Sequence, residues 1–124
     1  SVHIEVLDTL SVAEIDKISR KITKKIMKDY GVILHTIGIY SVNTKDEKII
    51  AIKNEIHDIV FSYKGIIQMH GFYIDEEEKS ISFDIIIDFK IENREEIYKQ
   101  IYDKIQKKYK DYKIDITLDI DVSD

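Results

Sequence analysis

The C-terminal half of the chain contains two segments in which apolar and polar residues alternate almost without exception. The first runs through Ile81, Phe83, Ile85, Ile87, Phe89 and Ile91, and the second through Ile114, Ile116, Leu118, Ile120 and Val122. A period of two is typical of β-strands with one buried face and one open face. The intervening positions include five carboxylates, namely Asp84, Asp88, Asp115, Asp119 and Asp121. The pattern therefore predicts a sheet with an apolar face and an acidic face.

Three other segments have the apolar period of helices, and each begins with a capping-box spacing. In each segment, a capping residue is followed three positions later by a glutamate. The pairs are Ser11 with Glu14, Thr44 with Glu47 and Asn93 with Glu96. Apolar residues then recur every three or four positions, which places them on one face of each helix. The three stripes are Ile15, Ile18, Ile22 and Ile26; Ile49, Ile52, Ile56, Ile59 and Tyr63; and Ile97, Ile101, Ile105 and Tyr109.

Five segments are predicted as strands: 2–7, 32–42, 66–74, 80–91 and 113–122. In segment 32–42, apolar residues occupy both odd-numbered and even-numbered positions. We therefore expect this strand to be covered on both sides. Charged residues 75–79 predict a hairpin loop. The order βαβ-αββαβ predicts an α/β (α+β) two-layer sandwich, ferredoxin-like, with three helices on one face of a mixed sheet. We expect one shared core that contains Ile85, Ile87, Ile101, Ile105, Ile116 and Leu118.

Composition and charge narrow the class of protein. A net charge of -5 argues against a nucleic-acid partner, and the lysines lie on the backs of the predicted helices, where we interpret them as solubilising. The chain has no cysteine, so disulfides and thiolate zinc sites are excluded. No apolar run approaches the length of a membrane span. Because the sequence starts at Ser1 without an initiating methionine, we expect that it is a fragment excised from a longer protein.

The alternation of side chains along the predicted strands places a candidate metal site on the acidic face. If Ile67, Met69 and Tyr73 face the helices, then Gln68, His70 and Phe72 point outward. Asp84, Asp88, Asp119 and Asp121 also point outward if their strands bury the apolar positions, and of these Asp84, Asp119 and Asp121 could meet His70 on one surface. A neutral imidazole with carboxylates suits Zn²⁺, Mn²⁺ or Fe²⁺. The alternative is an acidic face without metal, kept soluble by charge repulsion.

The remaining histidines and Phe72 are weaker candidates for function. We interpret His3 as a surface residue, His35 as a hydrogen-bonded structural residue of segment 32–42, and His57 as a partly exposed flank of the second helix. An outward Phe72 would favour self-association, which could cover it. The sequence has neither a glycine-rich phosphate loop nor a nucleophile elbow, and its carboxylates lie on an open face. We therefore do not expect an enzyme.

The second half of the chain also resembles a known family. Lys64-Gly65-Ile66-Ile67-Gln68-Met69-His70, Ile81-Ser82-Phe83-Asp84 and Ile116-Thr117-Leu118-Asp119-Ile120-Asp121-Val122 are similar to three motifs of the cytoplasmic C-terminal domain of cation diffusion facilitator transporters, known as the cation transporter dimerisation domain. Two aspartates, Asp84 and Asp119, stand where many relatives have histidine, and Val122 stands where they have proline. Replacing histidine by aspartate gives a ligand set that is harder in the sense of hard and soft Lewis bases. The preference of the site therefore moves toward Mn²⁺ or Mg²⁺ and away from Zn²⁺.

The first part of the chain resembles a partial second copy of the same domain. Segments 2–42 and 82–122 share the order strand–helix–strand, and Lys28-Asp29-Tyr30 recurs as Lys110-Asp111-Tyr112. His3 falls at a ligand position of the family, but Ile37 and Ile39 replace the ligands of the final strand. The resemblance thus divides the chain into a partial βαβ repeat, residues 1–43, and an αββαβ dimerisation domain, residues 44–124.

The resemblance implies a function for this arrangement. It implies a soluble regulatory and dimerisation domain at the cytoplasmic face of the membrane, as part of a divalent-cation efflux transporter. The implied partners are a second copy of the chain, the transmembrane domain of the same transporter and divalent metal ions, with Zn²⁺ or Mn²⁺ at His70, Asp84, Asp119 and Asp121. The alternative is a metal-free ferredoxin-like module that only oligomerises or that senses a small ligand.

Overall fold

Three helices and five strands follow one another in residues 1–42 and 46–119, the part of the chain that the computed structural model describes. They are β1 (Val2–Leu7), α1 (Val12–Tyr30), β2 (Ile37–Val42), α2 (Glu47–Phe61), β3 (Ile66–Asp75), β4 (Ser80–Ile87), α3 (Arg94–Lys108) and β5 (Lys113–Asp119). The chain divides near residue 44 into two compact units. The first unit contains β1, α1 and β2, and the second contains the other five elements.

The first unit is a βαβ motif with two parallel strands. β1 and β2 pair in parallel from Val2 opposite Ile37 to Leu7 opposite Val42. The predicted capping box of α1 is confirmed, because the Ser11 hydroxyl accepts a hydrogen bond from Glu14 N while Ser11 N donates to the Glu14 carboxylate, both at 3.1 Å. The helix ends at Gly31, whose left-handed φ of 65° is a conformation that glycine adopts without a side-chain clash.

The second unit is organised around β4, the central strand of a three-stranded mixed sheet. β4 pairs antiparallel with β3 and parallel with β5. Its inward side chains share one apolar cluster with α2 and α3, so both helices lie on the same side of the sheet. The most deeply buried members of the cluster are Ile56, Val60, Ile81, Phe83, Ile85, Ile87, Ile101 and Ile105. The predicted α+β class is confirmed, with the strands divided between two sheets.

Two predicted strands are longer than the observed ones, for reasons that the pairing explains. The prediction that segment 32–42 is covered on both sides was wrong, because β2 begins only at Ile37, and Val32 and Ile33 are 52% and 63% exposed. The pairing of β1 with β2 runs from Val2 opposite Ile37 to Leu7 opposite Val42, and none of the strands in the described ranges pairs with 32–36. β4 ends at Ile87, since Asp88 N donates to Gly65 O and the chain then turns, with Ile91 N bonded to Asp88 O.

Two of the predicted helix caps also differ. α2 is capped by Asp46 rather than Thr44, because the Asp46 carboxylate accepts hydrogen bonds from Lys48 N and Ile49 N. Thr44 itself lies outside the described residues. Asn93 is the N-cap residue of α3, but its side chain makes no capping hydrogen bond. The helix starts were therefore predicted to within a few residues, although only Ser11 caps as expected.

Hydrogen bonds from two tyrosines connect the elements of the second unit. The Tyr109 hydroxyl donates to the Glu55 carboxylate, which ties the end of α3 to α2, and the Lys108 ammonium lies 2.9 Å from the same carboxylate. The Tyr112 hydroxyl donates to Glu76 at 2.7 Å, and Lys79 lies 2.9 Å from that carboxylate. These bonds hold the β3–β4 turn against the start of β5.

We expect truncation in the shared core to cost far more stability than truncation at its margin. Ile105 is fully buried, so Ile105→Ala should lower the free energy of unfolding by about 2–5 kcal/mol. Leu118 is only partly buried against the same cluster, so Leu118→Ala should cost less. Urea denaturation followed by circular dichroism measures both, with Ile67→Ala, at a 44% exposed position, as the control. Equal losses for Ile105→Ala and Ile67→Ala would contradict this core.

The Glu76 contacts predict acid-sensitive stability. The hydrogen bond from Lys79, and to a smaller extent the hydrogen bond from Tyr112, lowers the pKa of Glu76 below its ordinary value of 4.5. A carboxyl with a lowered folded-state pKa stabilises the fold above its unfolded-state pKa, and this contribution is lost as the pH falls through the folded-state value. Glu76→Gln should therefore be less stable than wild type near neutral pH, with the difference shrinking as the pH falls below about 4.5. Glu77→Gln, at an exposed position of the same turn, is the control, and a pH-independent difference for Glu76→Gln would contradict the prediction.

Candidate metal centre

The outward face of the three-stranded sheet carries the residues that the sequence singled out. His70 of β3 lies directly opposite Asp84 of β4 in the antiparallel pair. On β5 the outward positions include Asp115, Thr117 and Asp119, and Asp119 lies opposite Ile86 in the parallel pair. The alternation of β4 and β5 thus points Asp84 and Asp119 away from the helices, as predicted. Ile86 shares this parity but is itself buried, so the face is not wholly polar.

A bulge in β3 changes which side chains face outward beyond His70. His70 and Tyr73 are three positions apart in the chain, whereas their partners, Asp84 and Ser82, are two positions apart. Gly71 at the bulge has a φ of 68°, a conformation that favours glycine. The extra residue reverses the parity, so Phe72 is 8% exposed and stacks on Phe83 with ring centroids 6.0 Å apart. The predictions that Phe72 points outward and Tyr73 inward were therefore wrong.

A second irregularity lies at the start of β3. The register shifts between Ile66 and Gln68, which makes Ile67 the additional residue on the β3 side. Ile67 is consequently exposed instead of facing the helices, whereas Met69 packs against the core as predicted. The two shifts lie on either side of the pair of His70 with Asp84 and leave that pair in regular register.

The side chains of His70, Asp84 and Asp119 come together on the outward face. His70 Nδ1 lies 3.7 Å from Asp84 Oδ2, and His70 Nε2 lies 3.8 Å from Asp119 Oδ2. One candidate ligand atom from each residue lies within 4.8 Å of the other two. The side chains are 23%, 23% and 39% exposed, respectively, so a small ion can reach them from solvent.

The geometry of this cluster is close to that of a metal site. Ligand atoms about 2.0–2.2 Å from a tetrahedral ion are about 3.4 Å from one another. The observed separations of 3.7 and 3.8 Å are near that value, but they involve different nitrogens of His70, and one ion binds only one of the two. Since His70 presents a different nitrogen to each carboxylate, two arrangements are available. Either all three residues ligate, or one aspartate ligates together with one nitrogen while the other aspartate orients the ring through the second nitrogen.

The other predicted or neighbouring carboxylates have different positions. Asp121, the fourth predicted ligand, lies outside the described residues, so its role stays a prediction. Asp88 follows the end of β4, and its carboxylate accepts a hydrogen bond from Lys90 N at 3.0 Å within a turn. Asp115 is exposed on β5 and lies four residues before Asp119, which is two outward positions earlier in the strand.

The remaining histidines lie outside this cluster. His3 makes an edge-to-face contact with Tyr40, with ring centroids 5.4 Å apart. His35 is exposed and precedes β2, contrary to the prediction of a structural role within the strand. His57 is 55% exposed on α2 and packs against Phe61, in agreement with its interpretation as a flank.

Comparisons with protein families, with curated proteins and with solved structures find no match for this chain. Among the described residues, no helix combines the length and the apolar character needed to cross a membrane.

The bulge at Gly71 should be important for the site. Gly71→Ala places a side chain in the left-handed region, which costs about 1–2 kcal/mol, and should also disturb the neighbouring His70. Gly31→Ala is a matched control at the end of α1, because Gly31 has a φ of 65° and open space where the added methyl group would lie. Both variants should lose stability in urea, whereas only Gly71→Ala should weaken metal binding in calorimetry. Equal metal affinity in the two variants would show that the bulge does not position the ligands.

Proposed function

We propose that this chain binds a divalent cation through His70, Asp84 and Asp119 and serves as a regulatory and dimerisation domain of a divalent-cation efflux transporter. The observation that carries the proposal is the convergence of one imidazole and two carboxylates from three neighbouring strands. Neutral imidazole and carboxylate oxygens together form a ligand set that suits Zn²⁺ and Mn²⁺. Two carboxylates also balance the charge of one divalent cation.

Binding would act through electrostatics. The two aspartates come from β4 and β5, and their charges repel when no cation lies between them. A cation that neutralises them would fix β3, β4 and β5 in their present register and would reduce the repulsion between the acidic faces of two protomers. In the proposed homodimer, metal therefore favours association and biases an attached transmembrane domain between two arrangements.

The transporter context is supported by the sequence motifs around His70, Asp84 and Asp119. The αββαβ order of the second unit agrees with the order of the cation transporter dimerisation domain that these motifs resemble. In this proposal the domain lies at the cytoplasmic face of the membrane and responds to the concentration of the transported ion. Catalysis is not part of the proposed role.

We expect Mn²⁺ or Zn²⁺ to bind the chelator-treated protein and to raise its melting temperature with the logarithm of the free metal concentration, since only the folded sheet assembles the ligands. Asp84→Asn and Asp119→Asn should each weaken binding by about tenfold or more, because each removes a charged ligand. Asp115→Asn is the matched control, since it makes the same change on the outward face of β5, outside the cluster. Isothermal titration calorimetry measures the affinities, and light scattering during the titration reports the oligomeric state.

The outcomes separate the parts of the proposal. If wild type and all three variants respond equally and weakly to both metals, the face is a solvated acidic surface and the metal site is refuted. If metal binds at the cluster without changing the mass of the protein, the dimerisation role is refuted while the site remains. Asp121→Asn tests the fourth predicted ligand in the same assay.

A metal-free module that senses a small ligand is the alternative, and one feature of the second unit favours it. A pocket of about 470 Å³ lies between α2 and the connection from α3 to β5. Its lining combines apolar and charged groups: Lys48, Ala51, Ile52, Glu55, Lys79, Tyr109, Asp111 and Tyr112. A volume of this size is within the range of small-molecule sites, roughly 300–1,000 Å³. Stabilisation by a small metabolite in the presence of chelator, without any response to metal, would favour this alternative.

A further inference from the structure

The exposed side of α1 carries a stripe of lysines. Lys17, Lys21, Lys24 and Lys28 are separated by four, three and four residues, which places them on one side of the helix. All four are exposed, and the isoleucines of α1 occupy the half-buried side. The stripe extends over twelve residues, from Lys17 to Lys28, or about 16 Å along the helix axis. We refer to these four residues as the lysine stripe.

The charges of the lysine stripe are not compensated within α1. Two other cations of the helix do form ion pairs, since Arg20 lies 2.8 Å from Asp16 and Lys25 lies 3.8 Å from Asp29. Within the described part of the chain, by contrast, no carboxylate lies within 4 Å of an ammonium group of the stripe. A chain with a net charge of -5 thus has a local row of four positive charges that form no ion pair with the carboxylates of residues 1–42 and 46–119.

Exposed apolar residues lie near the C-terminal end of α1, beside the lysine stripe and just after the helix. Met27 lies about a quarter turn around the helix from the stripe and is 45% exposed. Val32 and Ile33, just after the helix, are exposed as well. These residues give the surface an apolar end beside its cationic row.

We propose that this side of α1 binds an anionic lipid surface. Lysines in a row match a plane of negative headgroups, whereas the apolar end can enter the boundary between headgroups and acyl chains. A nucleic acid would also attract the lysines, but its phosphate backbone offers no apolar surface to exposed Met27, Val32 and Ile33. The proposal does not depend on metal binding, which concerns the second unit.

The magnitude of the expected effect follows from the number of lysines. A basic residue close to an anionic membrane contributes about fivefold in affinity. Removing two lysines should therefore weaken binding by about 25-fold, and raising the salt concentration should weaken it further because the attraction is screened.

Co-sedimentation with phosphatidylcholine vesicles, with and without phosphatidylserine, tests this proposal in the presence of chelator. The full chain should bind only the vesicles that contain phosphatidylserine, and the double variant K21Q/K24Q should lose most of that binding. The double variant K99Q/K107Q is the matched control, since it removes the same charge from exposed positions of α3 and should bind like wild type. Circular dichroism verifies that both variants remain folded, as expected for exposed lysines.

Three results would overturn the proposal. The chain could fail to bind phosphatidylserine vesicles at low salt, or both double variants could lose affinity equally, which would indicate a response to net charge alone. A third is tighter binding to a DNA or RNA duplex than to vesicles. The variant Ile33→Ser tests the apolar end, which should contribute to the binding that persists at high salt. If this variant binds vesicles at high salt as well as wild type does, only the lysines contribute to binding.

Discussion

The close packing of β4 against α2 and α3 is the constraint on which the second unit depends. Its inward side chains, Ile81, Phe83, Ile85 and Ile87, are almost inaccessible to solvent, and β3 and β5 flank the strand. A strand held on one face and along both edges cannot slip by a residue without turning its isoleucines outward. The outward direction of Asp84 is therefore fixed by the burial of residues that take no part in metal chemistry.

The two strands beside β4 position their residues by different means. β5 follows a regular parallel register, so the burial of Ile114 and Ile116 turns Asp119 outward. β3 reaches the same face only through irregular pairing, with register shifts on either side of the pair of His70 with Asp84. These shifts let Met69 and Phe72 both reach the core while His70 stays opposite Asp84. The bulge thus reconciles a continuous apolar core with a polar group in the middle of the strand.

Charge is distributed unevenly between the two units. The second unit carries aspartates on the outward face of its sheet, and the first presents the lysine stripe on the exposed side of α1. The overall net charge conceals this separation, because acidic and basic groups largely cancel in the sum. A divalent cation and an anionic lipid surface would each interact with one local field. The two proposed interactions are therefore chemically independent and can be tested separately.

The sequence by itself determined the element order, the three helices, the α+β class and the outward direction of Asp84 and Asp119. Periods of two and of three to four, read against apolar burial, are sufficient for these features because the segments are long and regular. The alternation rule failed in β3, where an additional residue at Gly71 reverses the parity of Phe72 and Tyr73. A glycine inside a strand was the signal for that bulge, but the sequence does not specify whether such a glycine is accommodated by a bulge.

The tertiary structure decided which strands found partners and which side chains met. Segment 32–36 contains three successive apolar residues, yet no strand of the described part of the chain pairs with it, because composition alone does not determine pairing. His70 and Asp119 lie 49 residues apart in the chain, and only the strand order β3-β4-β5 with its mixed directions brings the imidazole between two carboxylates. Such long-range registers depend on packing and pairing across the whole unit, which local periodicity does not contain.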